Sequence, residues 1–262
     1  MLASLVSYLA LGTAAGFLAG LYGVGGGLII VPSLMTVFAL QQVSGEVAMH
    51  LAVGTSLATI VITGASSAWG HFRRGSIRRD WLVALLPGLV MGAVLGVFVA
   101  GALSGGLLGT LFGVFLLLVA AKLVLGRSPK AGRQAPGRGS MVVAGGVIGG
   151  VSALFGIGGG TLSVPWLIRC GASMTQAVGT SAACGLPIAL VGAVTFIAVG
   201  LGDPRLPDGA FGFVMLPALL GIALTSVPCA RLGVRLAHRL PARVLKLSFA
   251  LLLTVVGLGF LL

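Results

Sequence analysis

Charge is what this chain has least of. Only 8% of its 262 residues are charged, and just four, Glu46, Asp80, Asp203 and Asp208, are acidic. Soluble domains carry about 25% charged residues, so a surface facing water on all sides is excluded. The three cysteines, Cys170, Cys184 and Cys229, form no CxxC or Cys/His pattern. That argues against a disulfide framework or a metal site, and they read as small apolar side chains. No GK[ST] follows either glycine-rich stretch, and Gly23–Leu28 lacks the last glycine of GxGxxG. Nucleotide-driven chemistry is therefore not expected, and no cofactor is implied. No Ser-His-Asp set or carboxylate pair suggests an enzyme. The opening stretch MLASLVSYLALG holds no Lys or Arg, which argues against a cleaved signal peptide.

No Lys, Arg, Asp or Glu falls in the middle of an apolar run. A carboxylate relay for protons or sodium is thus disfavoured. So is a cation site, which wants anionic or dense oxygen ligands. An anionic substrate would have to be held by backbone dipoles and hydroxyls.

What the chain has in excess is apolar sequence. Hydrophobic residues make up 58% of it, with a mean hydropathy of +1.17. Stretches of about 20 apolar residues recur, each long enough to cross a bilayer. The chain reads as an all-α polytopic membrane protein, its surroundings a lipid bilayer. Net charge is +12, but the basic residues sit in loops without aromatic interleaving. That is the membrane pattern of positive loops and not a nucleic-acid surface.

Two phrases occur twice. GVGGGLIIVP at 23–32 matches GIGGGTLSVP at 156–165, and AVGTSLA at 52–58 matches AVGTSAA at 177–183. The common order over about 120 residues marks a duplication. It divides the chain into a first membrane repeat, 1–125, a Gly/Pro/Arg/Ser-rich cytoplasmic linker, 126–140, and a second repeat, 141–262. The apolar run 2–40 would reach about 58 Å as one helix, nearly twice a hydrocarbon core. It must break, and Gly25–Gly27 is its weakest point; Gly158–Gly160 serves in the run 141–171. If each broken run passes the membrane twice, 15 of the 16 basic residues fall on one side, with Arg205 the exception. The positive-inside rule prefers that count. It gives 8 to 10 membrane segments in two inverted repeats, each with a glycine-broken first helix, with the linker and the basic loop near His238 cytoplasmic. The segments 28–40 and 161–171 are short, hence tilted or re-entrant.

Each glycine phrase opens a helix start, at Leu28 and at Thr161. Helix N-termini attract anions, so two such ends near the midplane make a candidate anion site. Thr55, Ser56, Thr180 and Ser181 place hydroxyls on duplicated apolar helices. They either donate to an anion or bond their own carbonyls four residues back. Other glycines at spacings of four, Gly16/Gly20, Gly88/Gly92/Gly96 and Gly105/Gly109/Gly113, read as helix-packing positions. His50 lies four residues from Glu46 and could relay a proton near the external mouth. Such a histidine is more often an interfacial residue with a water or backbone partner.

The paired GxGGGxxxVP and AVGTS phrases resemble those of the sulfite exporter TauE/SafE family, over essentially the whole chain. The resemblance implies a multi-pass transporter of the bacterial inner membrane, often for sulfite, sulfonates or related organosulfur anions. It maps the family's glycine motif onto Gly23, Gly25, Gly26, Gly27 and Pro32, and again onto Gly156, Gly158, Gly159, Gly160 and Pro165. Leu28 and Ile30 stand where the second half has Thr161 and Ser163, so the second half is the more polar side of any site. The expected function is a secondary transporter exporting a small oxyanion. A passive anion channel, or a membrane component that needs partners, remains the alternative, and the sequence sets no oligomeric state.

Overall fold

The computed structural model describes residues 2–22, 26–125, 136–237 and 240–262. Gly23, Gly25, linker residues 126–135 and His238 lie outside the described residues. The rest forms ten helices and one two-stranded hairpin. The first half contributes α1 (Leu2–Tyr22), α2 (Gly27–Leu40), α3 (Gly45–Arg73), α4 (Arg79–Ala102) and α5 (Gly105–Leu125). The second contributes α6 (Arg138–Leu154), α7 (Gly160–Arg169), α8 (Met174–Gly200), α9 (Leu216–Ala237) and α10 (Ala242–Gly259). Strands β1 (Ala210–Phe211) and β2 (Val214–Met215) pair between α8 and α9. Helix α6 begins at Arg138, inside the stretch expected to be linker. The apolar stretch that leads into α9 opens with this hairpin, because Gly209 and Gly212 sit at positive φ and turn the chain there.

Both long apolar runs break at the glycine phrases. Gly26 caps α2 with φ at 84° and Gly159 caps α7 with φ at 77°. Residues with a Cβ avoid that region, so the chain can turn there only on glycine. Helix α2 has 14 residues and α7 has 10, or about 21 Å and 15 Å, short of the roughly 30 Å hydrocarbon core. Each folds back on its predecessor. The Tyr8 hydroxyl of α1 donates to Gln41 Oε1, just past α2, at 2.7 Å. Ser140, at the start of α6, and Arg169, at the end of α7, line one cavity. The tips of the two hairpins are buried and touch. Gly27 packs against the Gly156 carbonyl, and a Cβ on Gly156 would stand 3.1 Å from Val53 Cα of α3. Gly158 in turn packs against Gly185 of α8. Both broken runs are therefore helical hairpins with the glycine phrase at the tip. Their irregular backbone is tolerated because protein surrounds it.

The remaining helices pack through small residues. Gly88, Gly92 and Gly96 of α4 meet the backbone of Val142, Gly146 and Gly150 in turn. Gly12, Gly16 and Gly20 of α1 meet Ile222, Ser226 and Ala230 of α9. In lipid no hydrophobic drive joins helices, so close van der Waals approach through glycine stripes must do it. The registers advance together, so both pairs run parallel. They also exchange under the duplication, since α1 corresponds to α6 and α4 to α9. Helices α3 and α8 pack at the centre. The counterparts α5 and α10 meet antiparallel, Gly109 on Phe260 and Gly113 on Gly257.

Among the described residues five segments, α3, α4, α5, α8 and Leu216–Gly233 of α9, are long and apolar enough to cross a bilayer. On α4, Met91, Leu95 and Phe98 stay exposed as an apolar stripe. A water-soluble monomer rarely shows such a stripe, and lipid accounts for it.

Candidate functional site

The duplicated VGTS phrase acts first as a clamp between the halves. Thr55 of α3 accepts from the Met215 backbone N–H at 2.9 Å, and Thr180 of α8 accepts from the Arg78 N–H at 2.9 Å. Met215 precedes α9 and Arg78 precedes α4, so the two bonds are counterparts. The preceding glycines complete the clamp. A Cβ on Gly54 would strike the Phe213 carbonyl, and one on Gly179 would stand 2.7 Å from the Ser76 carbonyl oxygen. Both threonines are fully buried. Their bonds reach the opposite half, which neither an anion contact nor bonding to the carbonyl four residues back would have required. Replacing either by Val leaves a buried N–H without its acceptor, at a cost of about 1–3 kcal/mol. Thermal unfolding in detergent is expected to show that loss for Thr55→Val and Thr180→Val alike.

Ser56 donates to the Gly156 carbonyl at 2.9 Å and so pins the second hairpin tip. Ser163 donates to the Gly159 carbonyl at 2.7 Å. With that proton committed, Ser181 donates to Ser163 Oγ, also at 2.7 Å. These hydroxyls are occupied. Two others beside them are not: Ser152 Oγ and Thr161 Oγ1 are buried and have no hydrogen-bond partner. Ser152 is 1% exposed, and its Oγ lies 3.8 Å from where a Cβ on Gly159 would stand. It therefore sits beside the residue that caps α7. The bonds to the Gly159 carbonyl begin at Leu162 and Ser163, which leaves the Gly160 and Thr161 N–H groups as orphans of a helix start. The α7 start thus holds two orphan N–H groups, the positive end of a helix dipole, the unpaired Ser152 hydroxyl beside Gly159 and the unpaired Thr161 hydroxyl in its first turn.

The first half lacks this equipment. Ala19 stands beside Gly26 as Ser152 stands beside Gly159, with its Cβ 3.8 Å from the Cβ that Gly26 lacks. Leu28 and Ile30 replace Thr161 and Ser163. The α2 start has the glycines without the hydroxyls. Pro32 and Pro165 are each the sixth residue of their helix, α2 and α7, so each removes one i→i−4 backbone hydrogen bond beyond the first turn. The sequence offered a signal for Thr161 and Ser163, which differ between the repeats. It offered none for Ser152, which lies outside the repeated phrase.

His50 is 5% exposed and tilts against the Phe213 ring at 5.2 Å. Its Nε2 lies 2.9 Å from the Ala100 carbonyl and 3.2 Å from that of Leu103, at the end of α4. Carbonyl oxygens only accept, so Nε2 carries the proton and Nδ1 is a buried acceptor with no partner. Above it Arg205 joins Asp203 at 2.7 Å and Glu46 at 2.9 Å, tying the α8–α9 loop to the start of α3. The Arg205 guanidinium holds the Asp203 carboxyl down at about 2. A depressed carboxyl stabilises above its ordinary range, so this latch weakens only as pH falls from about 4 toward 2. Among the described residues no group of His, Cys, Asp and Glu gathers to hold a metal ion.

Comparison with known proteins bears on what this arrangement does. The sequence model of a family described as "Sulfite exporter TauE/SafE" matches residues 8–260. A "Probable membrane transporter protein" of Haemophilus influenzae is 38% identical over 255 residues, covering 97% of each chain. A relative of the same general name from Methanocaldococcus jannaschii is 26% identical, over 94% of this chain and 91% of its own.

Proposed function

Because this chain belongs to the sulfite exporter TauE/SafE family of membrane transporters, we propose that it exports a small oxyanion, sulfite or an organosulfonate, across the bacterial inner membrane as a secondary transporter. The observation that carries this reading is the α7 start, where the buried hydroxyls of Ser152, beside Gly159, and Thr161, in the first turn, have no partners. An oxyanion supplies the acceptors that these donors lack. No charged side chain stands there, so a helix end and hydroxyls would hold the substrate weakly enough to release it. The proposed contacts are Gly159, Gly160, Thr161 and Ser152. Gly26, Gly27, Gly156 and Gly158 shape the touching tips. Ser56, Thr55 and Thr180 hold the surrounding backbone, and Ser181 holds the Ser163 side chain.

The antiparallel contact of α5 with α10 and the exchanged pairs α1–α9 and α4–α6 support inverted repeats. In such an arrangement hairpins entering from opposite faces present their tips at one depth, which suits alternating access. The basic helix ends are assigned to the cytoplasm.

His50 is assigned the proton relay, with Nδ1 as the site of protonation. Asp203, Glu46 and Arg205 are the charged groups around it. Flux of sulfite into sealed proteoliposomes of the purified chain is expected to saturate, show counterflow and follow an imposed pH gradient. In His50→Gln downhill flux should persist while the response to the gradient disappears. Non-saturable flux would favour a channel. Absence of flux from tight, protein-loaded vesicles would refute transport of this anion by the chain alone.

A further inference from the structure

The basic end of the bundle carries a groove that the transport reading does not use. It is an open cavity of about 550 Å³ between the end of α5, the first turns of α6 and the length of α7. That size lies within the roughly 300–1,000 Å³ range of small-ligand pockets. Lys122 and Arg169 line it near the ends of α5 and α7, and Trp166 lines it about one turn before Arg169. The wall beyond is apolar, formed by Val143, Val147 and Leu162. Val143 and Val147 are 69% and 61% exposed, so this wall faces outward to lipid and not inward to the hairpin tips.

We propose that this groove binds one anionic diacylglycerophospholipid, its phosphate held by Lys122 and Arg169 and an acyl chain laid along Val143 and Val147. Three observations fix the occupant. The first is charge. All four acidic residues lie elsewhere: Glu46 and Asp203 join Arg205, Asp80 pairs with Arg78, and Asp208 belongs to the α8–α9 loop. Two cations with no acid in the same groove make a site for an anion. The second is the order of chemistry along the groove. Cations come first, then an indole, then bare aliphatic side chains, which is the order in which a lipid presents headgroup, interface and tail. The long stems of Lys122 and Arg169 let their charged heads reach the phosphate from helix ends. The third is position, since a soluble anion would have no use for an apolar wall open to the bilayer.

The test is thermal unfolding of the purified full-length chain in detergent, titrated with phosphatidylglycerol and, separately, with phosphatidylcholine. Phosphatidylglycerol should raise the unfolding midpoint in a saturable way, and phosphatidylcholine should not. Lys122→Gln/Arg169→Gln should weaken the half-saturation about thirty-fold, or about fivefold per cation. Both side chains are exposed, so the fold should survive the change. Arg231→Gln, an exposed cation on α9, should shift half-saturation by less than about twofold. Equal response to the two lipids, or an unaltered double variant, would overturn the proposal. So would an equal shift from inorganic phosphate, which would make the groove a free-anion site.

Discussion

A Gly27→Leu chain is expected not to reach the native fold. Gly27 opens α2 with its Cα against the Gly156 carbonyl, and Ile157 Cα is also within 2.9 Å of any Cβ placed there. Both neighbours are backbone of the opposite hairpin tip, so no rotamer change relieves the clash. Adding even single methylenes to a packed core costs about 1–3 kcal/mol, and a whole domain is stable by only about 5–15 kcal/mol. A four-carbon side chain driven between two backbones should consume most of that margin. Size-exclusion profiles and unfolding midpoints in detergent would read the loss. Gly106→Leu is the matched control, since a Cβ there meets nothing within 4 Å. A Gly27→Leu chain as monodisperse and stable as Gly106→Leu would show that the tips do not touch.

The second large effect has the opposite signature. Ser152→Ala/Thr161→Val should reduce flux at least about a hundredfold while stability holds or rises. Each hydroxyl donating to an anion is worth about 1.5–3 kcal/mol, and two together exceed two factors of ten. Within the protein neither oxygen has a partner, so its removal relieves an unpaired buried polar group and breaks no bond. Substitution of Thr55 or Thr180 would instead lower stability. The site and the clamp can thus be told apart by pairing an unfolding curve with a flux measurement. Full flux in the Ser152/Thr161 variant would remove the anion site from the α7 start.

Much of the architecture was legible in the chain because it follows from local rules. Four acidic residues and long apolar runs determine a membrane protein, since lipid tolerates neither charge nor unpaired backbone. The two breaks were readable because an apolar run of 39 residues exceeds the bilayer and glycine is the weakest link in it. The glycine stripes at spacings of four foretold close helix pairs, and the structure places Gly16, Gly20, Gly88, Gly92 and Gly96 in such contacts. The family was carried by the repeated phrases themselves.

What only tertiary structure decided is which polar groups are already satisfied. Thr55 and Thr180 read in the sequence as candidate donors to a substrate, and the fold adds a second role, their oxygens accepting the Met215 and Arg78 N–H groups from across the molecule, 160 and 102 residues away. No local pattern encodes a partner at that distance. Ser152 carried no signal, because its importance lies in standing beside Gly159 without a bond. The sequence already marked the second helix end as the more polar through Thr161 and Ser163, and the fold widened that difference by placing Ala19 and Ser152 in corresponding seats. Sequence determined where the chain can break and which faces can meet lipid, because those depend on each segment's own composition. Which hydroxyls stay free for a ligand depends on what the fold brings against them, and that is settled only when the two halves close on each other.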